Sequence, residues 1–113
     1  MAAPVRSIIE QQMTAVRQAD AEAAFASVGP KLQEMFSTGE NYLRFFRAQF
    51  PGIASGRIIA FGDLRETSFG MAQLVHISSK HGEPWLALFL MDQVGNDWRI
   101  GNVVVLKVPS VEI

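Results

Sequence analysis

A chain of 113 residues, 49% of them hydrophobic, carries enough apolar material for one real core and can bury roughly two-thirds of its unfolded surface. Ten basic against eleven acidic residues leave a formal charge of -1, and no stretch gathers the basic ones, which removes the electrostatic support that nucleic-acid binding needs. The absence of Cys excludes disulfides, thiolate catalysis and sulfur-ligated zinc.

The first half repeats its apolar residues at spacings of three and four, the period of helices. Pro4 suits a helix start, and Ile8, Ile9, Gln12, Met13 and Val16 share one side of a predicted helix from about Val5 to Ala19. Asp20 can cap a second helix over residues 20–28, which is rich in Ala and which Gly29-Pro30 stops. A short helix over 31–36 follows, then the polar break Ser37-Thr38-Gly39-Glu40-Asn41. Thr38 or Gly39 opens the last predicted helix, 39–50, whose Tyr42, Leu43, Phe45, Phe46 and Phe50 cover a broad apolar face. Pro51-Gly52 ends it, because the proline ring biases Phe50 away from the α region.

Beyond that point apolar runs separated by turns read as strands over Arg57–Asp63, Phe69–Ser79, Trp85–Gln93 and Trp98–Val108. Lys80-His81-Gly82-Glu83 and Gly95-Asn96-Asp97 are marked turns, so the last three strands should pair as an antiparallel meander. Helices followed by strands predict one α+β domain over residues 5–108, with the helices packed on the concave face of a curved sheet. In the third strand Leu86, Leu88 and Leu90 alternate with Trp85, Ala87, Phe89 and Met91, so both faces are apolar and one helical layer covers only one of them. No stretch reaches the roughly 18 apolar residues of a membrane span, and the first residues lack the apolar run of a signal peptide. A soluble cytoplasmic protein is the expectation.

An amphipathic first helix, Asp20 with Ala23-Ala24-Phe25-Ala26, the break Phe36-Ser37-Thr38-Gly39-Glu40-Asn41-Tyr42, and Phe50-Pro51 together resemble a bacterial family of uncharacterised proteins, the domain of unknown function numbered 4864. The resemblance covers about residues 5 to 108. It implies membership of the nuclear-transport-factor-2-like, cystatin-like superfamily, with helices wrapped by a strongly bent antiparallel sheet in a cone, often as a homodimer. That superfamily holds isomerases, dehydratases, ligand binders and pure interaction proteins, so the fold does not choose among them.

Side chains able to do chemistry are few. His76 shares a strand face with Ala72, Leu74 and Ser78, where an imidazole can serve as acid or base near neutral pH; a histidine bonded to backbone or water is the plainer account. Asp92 ends the row Leu86-Leu88-Leu90 and can take a proton at a cavity mouth or cap the amides of the following turn. Tyr42, the only tyrosine, can aim its hydroxyl into a cavity or hold it at a rim while the ring packs. A lyase or isomerase reading gives His76 or Asp92 the removal of a C–H proton and gives Tyr42 the stabilisation of oxygen charge. Asp63 and Glu66 bracket Leu64-Arg65 and read as a solvated loop, whereas a strand persisting there lets Asp63 and Arg65 pair on one face; an acid–base pair of Asp63 with Asp92 needs their carboxyls within several ångströms. His81 lies in a turn, and Arg44 and Arg47 read as separate solvated arginines rather than a carboxylate clamp. The glycines form no dinucleotide or phosphate-loop signature, and two histidines without suitably spaced carboxylates define no metal site, so neither cofactor nor metal is called for.

Lacking a catalytic set, the sequence favours a noncatalytic domain that binds an apolar small molecule or a protein partner, with a cavity between helix 39–50 and the sheet. Its two-sided strand adds a homodimer through the outer sheet face, drawn from Trp85, Phe89, Met91, Trp98 and Val104.

Overall fold

Val5, Ile9, Gln12, Met13 and Val16 recur at helical spacing and are all buried, forming the inner side of helix α1 (Ala2–Arg17) in a computed structural model that describes residues 2–107. The helix closes with Asp20 N–H donating to Ala15 O at 2.8 Å and Ala19 N–H donating to Val16 O at 3.3 Å, while Ala19 takes a left-handed φ of 59°. Helix α2 (Ala21–Ala26) starts as expected, with Asp20 Oδ1 accepting from Ala23 N–H at 3.1 Å. It ends before Val28, the predicted limit, because the chain there turns to the sheet. Ile100 N–H donates to Ser27 O and Gly29 N–H donates to Ile100 O, both at 2.9 Å, so Val28 bridges in parallel to the last strand and covers part of its edge.

Pro30 opens α3 (Pro30–Phe36), and Thr38 caps α4 (Gly39–Gln49) by accepting from Asn41 N–H at 3.2 Å. Pro51 does not end the helical region. Phe50 forms a joint at φ −129°, and Pro51 then sits at the first position of a further turn, α5 (Pro51–Ala54), where a missing N–H loses no bond.

Four strands follow, β1 (Arg57–Thr67), β2 (Gly70–Ser78), β3 (Pro84–Val94) and β4 (Asp97–Lys107), all antiparallel and in the order β1-β2-β3-β4. The predicted meander is the observed one, although Val108, its expected last residue, lies outside the described residues. The β3–β4 hairpin turns on Gly95 at φ 63°, a conformation that glycine adopts without strain.

Residues 63–66 are strand, not loop. Register shifts between Ile58 and Ala60 and between Phe61 and Leu64 bend β1 so that it stays paired with β2 as far as Thr67. Fully buried Gln73 supports the bend, its Nε2 donating to Gly62 O at 2.9 Å and reaching Asp63 O at 3.4 Å. Asp63 and Arg65 consequently share a face and pair at 3.0 Å, both far out in solvent, where such a pair adds little.

All the helices pack on one side of the sheet. Helix α1 lies along β1 and β4, and α5 touches β2, whereas α4 packs chiefly on α2. This corrects the expected cavity between residues 39–50 and the sheet: α1 lies against the strands, and Ile9, Met13, Phe46, Ile53, Ile77 and Phe89 fill the interior. No helix among the described residues is long and apolar enough to cross a membrane.

Candidate functional site

Strand alternation and cross-strand register divide the sheet into two faces. The inner face carries Gln73, Val75, Ile77, Ala87, Phe89, Met91 and Ile100, all buried. The outer face carries three rows: Ala60, His76, Leu86 and Leu106; Leu74, Leu88 and Val104; and Arg65, Ala72, Leu90 and Asn102. Of these side chains Arg65 is charged, and it stands at the β1 edge of its row, paired with Asp63. Leu74, Leu86, Leu88 and Leu90 are half-buried by one another, and Val104 and Leu106 remain 41% and 58% exposed. Beyond the third row Asp92 is the cross-strand partner of Arg99, so this end of β3 and β4 carries charges of both signs.

The residues expected at the outer face are therefore mostly on the other side. Phe89 and Met91 are 0% and 3% exposed, and Trp85 and Trp98 pack half-buried against the same core; of the predicted set only Val104 faces outward. The physical reason is that β3 is apolar on both faces, so alternation alone gives no sign of which row meets the helices. Gly52 decides it locally: a side chain there would come within 2.6 Å of the Trp85 indole, so α5 seats Trp85 on the helix side.

The three candidate catalytic side chains do not meet. Tyr42 is buried among the helices, where Gln12 Nε2 donates to its hydroxyl and Ser27 Oγ donates to Gln12 Oε1 at 2.6 Å. Burial pushes the Tyr42 phenol well above its ordinary value, the Gln12 hydrogen bond opposing this only in part. His76 is exposed on the outer face opposite Leu86, and Asp92 is six residues further along β3, about 20 Å away at the rise of a strand. Asp92 lies over two glycines instead: a side chain at Gly101 or Gly29 would meet its Oδ2 at 2.6 or 2.8 Å. No space among the described residues gathers a base and an oxyanion donor from this trio. Nor do three or more His, Asp or Glu residues there converge as metal ligands.

The chain belongs to the family described as a domain of unknown function (DUF4864), whose model matches residues 1–113. No curated protein and no solved structure matches it.

Proposed function

We propose that this chain is a noncatalytic interaction domain whose working surface is the outer face of the sheet, and that the surface takes up a second copy of the same chain. The observation that carries the reading is the continuous row Leu74, Leu88 and Val104, flanked by Leu86, Leu90 and Leu106, on a face that no helix among the described residues covers. Size supports the same occupant. Strands of up to eleven residues, four abreast, give a face of about 19 by 33 Å, and two such faces bury about 1,200 Å², the lower limit of specific interfaces. Charge supports it too, because a two-fold axis lets a rim that holds both Asp92 and Arg99 pair with its own symmetry mate.

A cone-like relative of the nuclear-transport-factor-2-like superfamily, working in the cytoplasm, fits helices gathered on one face of a bent sheet, and this placement is part of the same reading. The small-molecule version has less support, since the interior between helices and sheet is filled by side chains. Sedimentation equilibrium over a dilution series tests the dimer. A dimer that dissociates on dilution, and that Leu88→Glu converts to a folded monomer, is the expected result. A wild-type chain that is monomeric at about 100 µM, a concentration at which even weak specific pairs assemble, would overturn it.

A further inference from the structure

Four of the chain's ten basic residues, far apart in sequence, meet at one corner of the fold. Arg17 is the last residue of α1, Arg47 lies in the last turn of α4, Arg57 begins β1, and Lys80 follows β2. They line two adjoining grooves of about 360 and 280 Å³ that share Arg17, Ser55 and Lys80, and no carboxylate lines either groove. None of the four makes an ion pair among the described residues, where the pairs are Arg65 with Asp63 and Arg99 with Asp97.

Favourable helix dipoles explain part of this clustering, since Arg17 and Arg47 stand at helix C-termini. They leave Arg57 and Lys80 unexplained. Glu10 lines a neighbouring groove with Arg17 and Arg57 and offsets part of their charge; the positive excess that remains is unfavourable through mutual repulsion, and a multiply charged anion reverses the sign of that term. Two of the guanidiniums are also held in place. Arg17 Nη1 donates to Gly56 O at 3.3 Å and Arg47 Nη2 donates to Val16 O at 3.0 Å, which fixes each fork while leaving other N–H groups for a ligand. Ser79 Oγ accepts from Glu83 N–H at 3.0 Å, so its own hydroxyl hydrogen is available for donation.

We propose that Arg17, Arg47, Arg57 and Lys80 form a binding site for the phosphoryl group of a small molecule. Phosphate suits the set better than carboxylate, because its higher charge and three peripheral oxygens match several separate donors at once. The grooves have the volume of the smaller ligand sites and lie open, so the complex should be weak and sensitive to salt. Nothing in the site depends on the dimer proposed above.

Titration of the ¹⁵N-labelled full chain with pyrophosphate, with glycerol 2-phosphate and with acetate is the test. Saturable shifts of the Gly56, Ser79 and Lys80 amides are expected with both phosphoryl compounds and not with acetate. The tighter of the two then identifies a free diphosphate or a phosphate ester as the better likeness of the ligand. The double variant Arg57→Gln/Lys80→Gln, which leaves the structural hydrogen bonds of Arg17 and Arg47 in place, should keep the wild-type spectrum elsewhere and weaken binding about tenfold or more. Absence of saturable shifts up to about 10 mM pyrophosphate at low salt, equal response to acetate, or unchanged affinity in the double variant would each overturn the proposal.

Discussion

The Tyr42 hydroxyl shows how one polar atom ties three helices together. Gln12 of α1 donates to it, Ser27 at the end of α2 donates to Gln12 Oε1, and the same Ser27 Oγ stands 2.9 Å from Ala24 O. Rotating the Gln12 amide by half a turn would give every hydroxyl one acceptor, Tyr42 to Gln12, Gln12 to Ser27 and Ser27 to Ala24, so the three side chains can satisfy one another without water. The sequence places Gln12 on an apolar stripe and Tyr42 on an apolar face; it does not show that they meet, because the contact spans thirty residues. Since burial raises the phenol's folded pKa, its share of stability is complete below the ordinary tyrosine value of about 10 and is lost as pH rises from there through the folded value. Thermal unfolding should therefore show stability falling above about pH 10, and Tyr42→Phe should flatten that fall. At neutral pH the same variant should lose about 1–3 kcal/mol, because the Gln12 amide is left buried without its partner. An alkaline slope identical in both proteins would contradict this account.

Elements whose ends are marked by side-chain chemistry were legible, and those set by tertiary approach were not. Asp20 and Thr38 cap the helices that the sequence assigned to them, and Gly95 makes the expected turn. Helix α5 was hidden because Pro51 serves equally as a stop and as a first helical residue, and the choice belongs to what lies beneath. What lies beneath is Trp85. A methyl group at Gly52 would stand 2.6 Å from both Cε2 and Nε1 of the indole, closer than packed atoms approach, so either α5 or the ring must move. Gly52→Ala should thus destabilise by about 1–3 kcal/mol, outweighing the better helix propensity of alanine. Tryptophan emission in a Trp98→Phe background reports Trp85 alone, since the chain holds two tryptophans, and it should shift to longer wavelength. A variant as stable as its parent, with unchanged emission, would show that the α5–Trp85 contact does not set the face of β3.

At the scale of the whole molecule, charge and hydrophobicity tell different stories in one dimension and in three. Basic residues that form no run in sequence gather at the corner between α1, α4 and the strand ends, because helix ends and strand ends converge there. The apolar rows were visible as alternation, yet their sidedness had to come from the helices. If the outer face docks on itself, folding and assembly are linked, and stability must depend on concentration. A tenfold dilution removes about 1.4 kcal/mol per dimer, about 0.7 per protomer, which for a chain of this length lowers the melting temperature by about 2–5 °C. Leu88→Glu places a charge in the central row between Leu74 and Val104, so the variant should melt at a temperature that no longer changes with dilution. Its secondary structure should remain that of the wild type, because the glutamate points away from the core that Ala87 and Phe89 enter. A concentration-independent wild type would remove the dimer, and an equally concentration-dependent variant would move the contact to another face. Scanning calorimetry at three concentrations of each protein separates these outcomes.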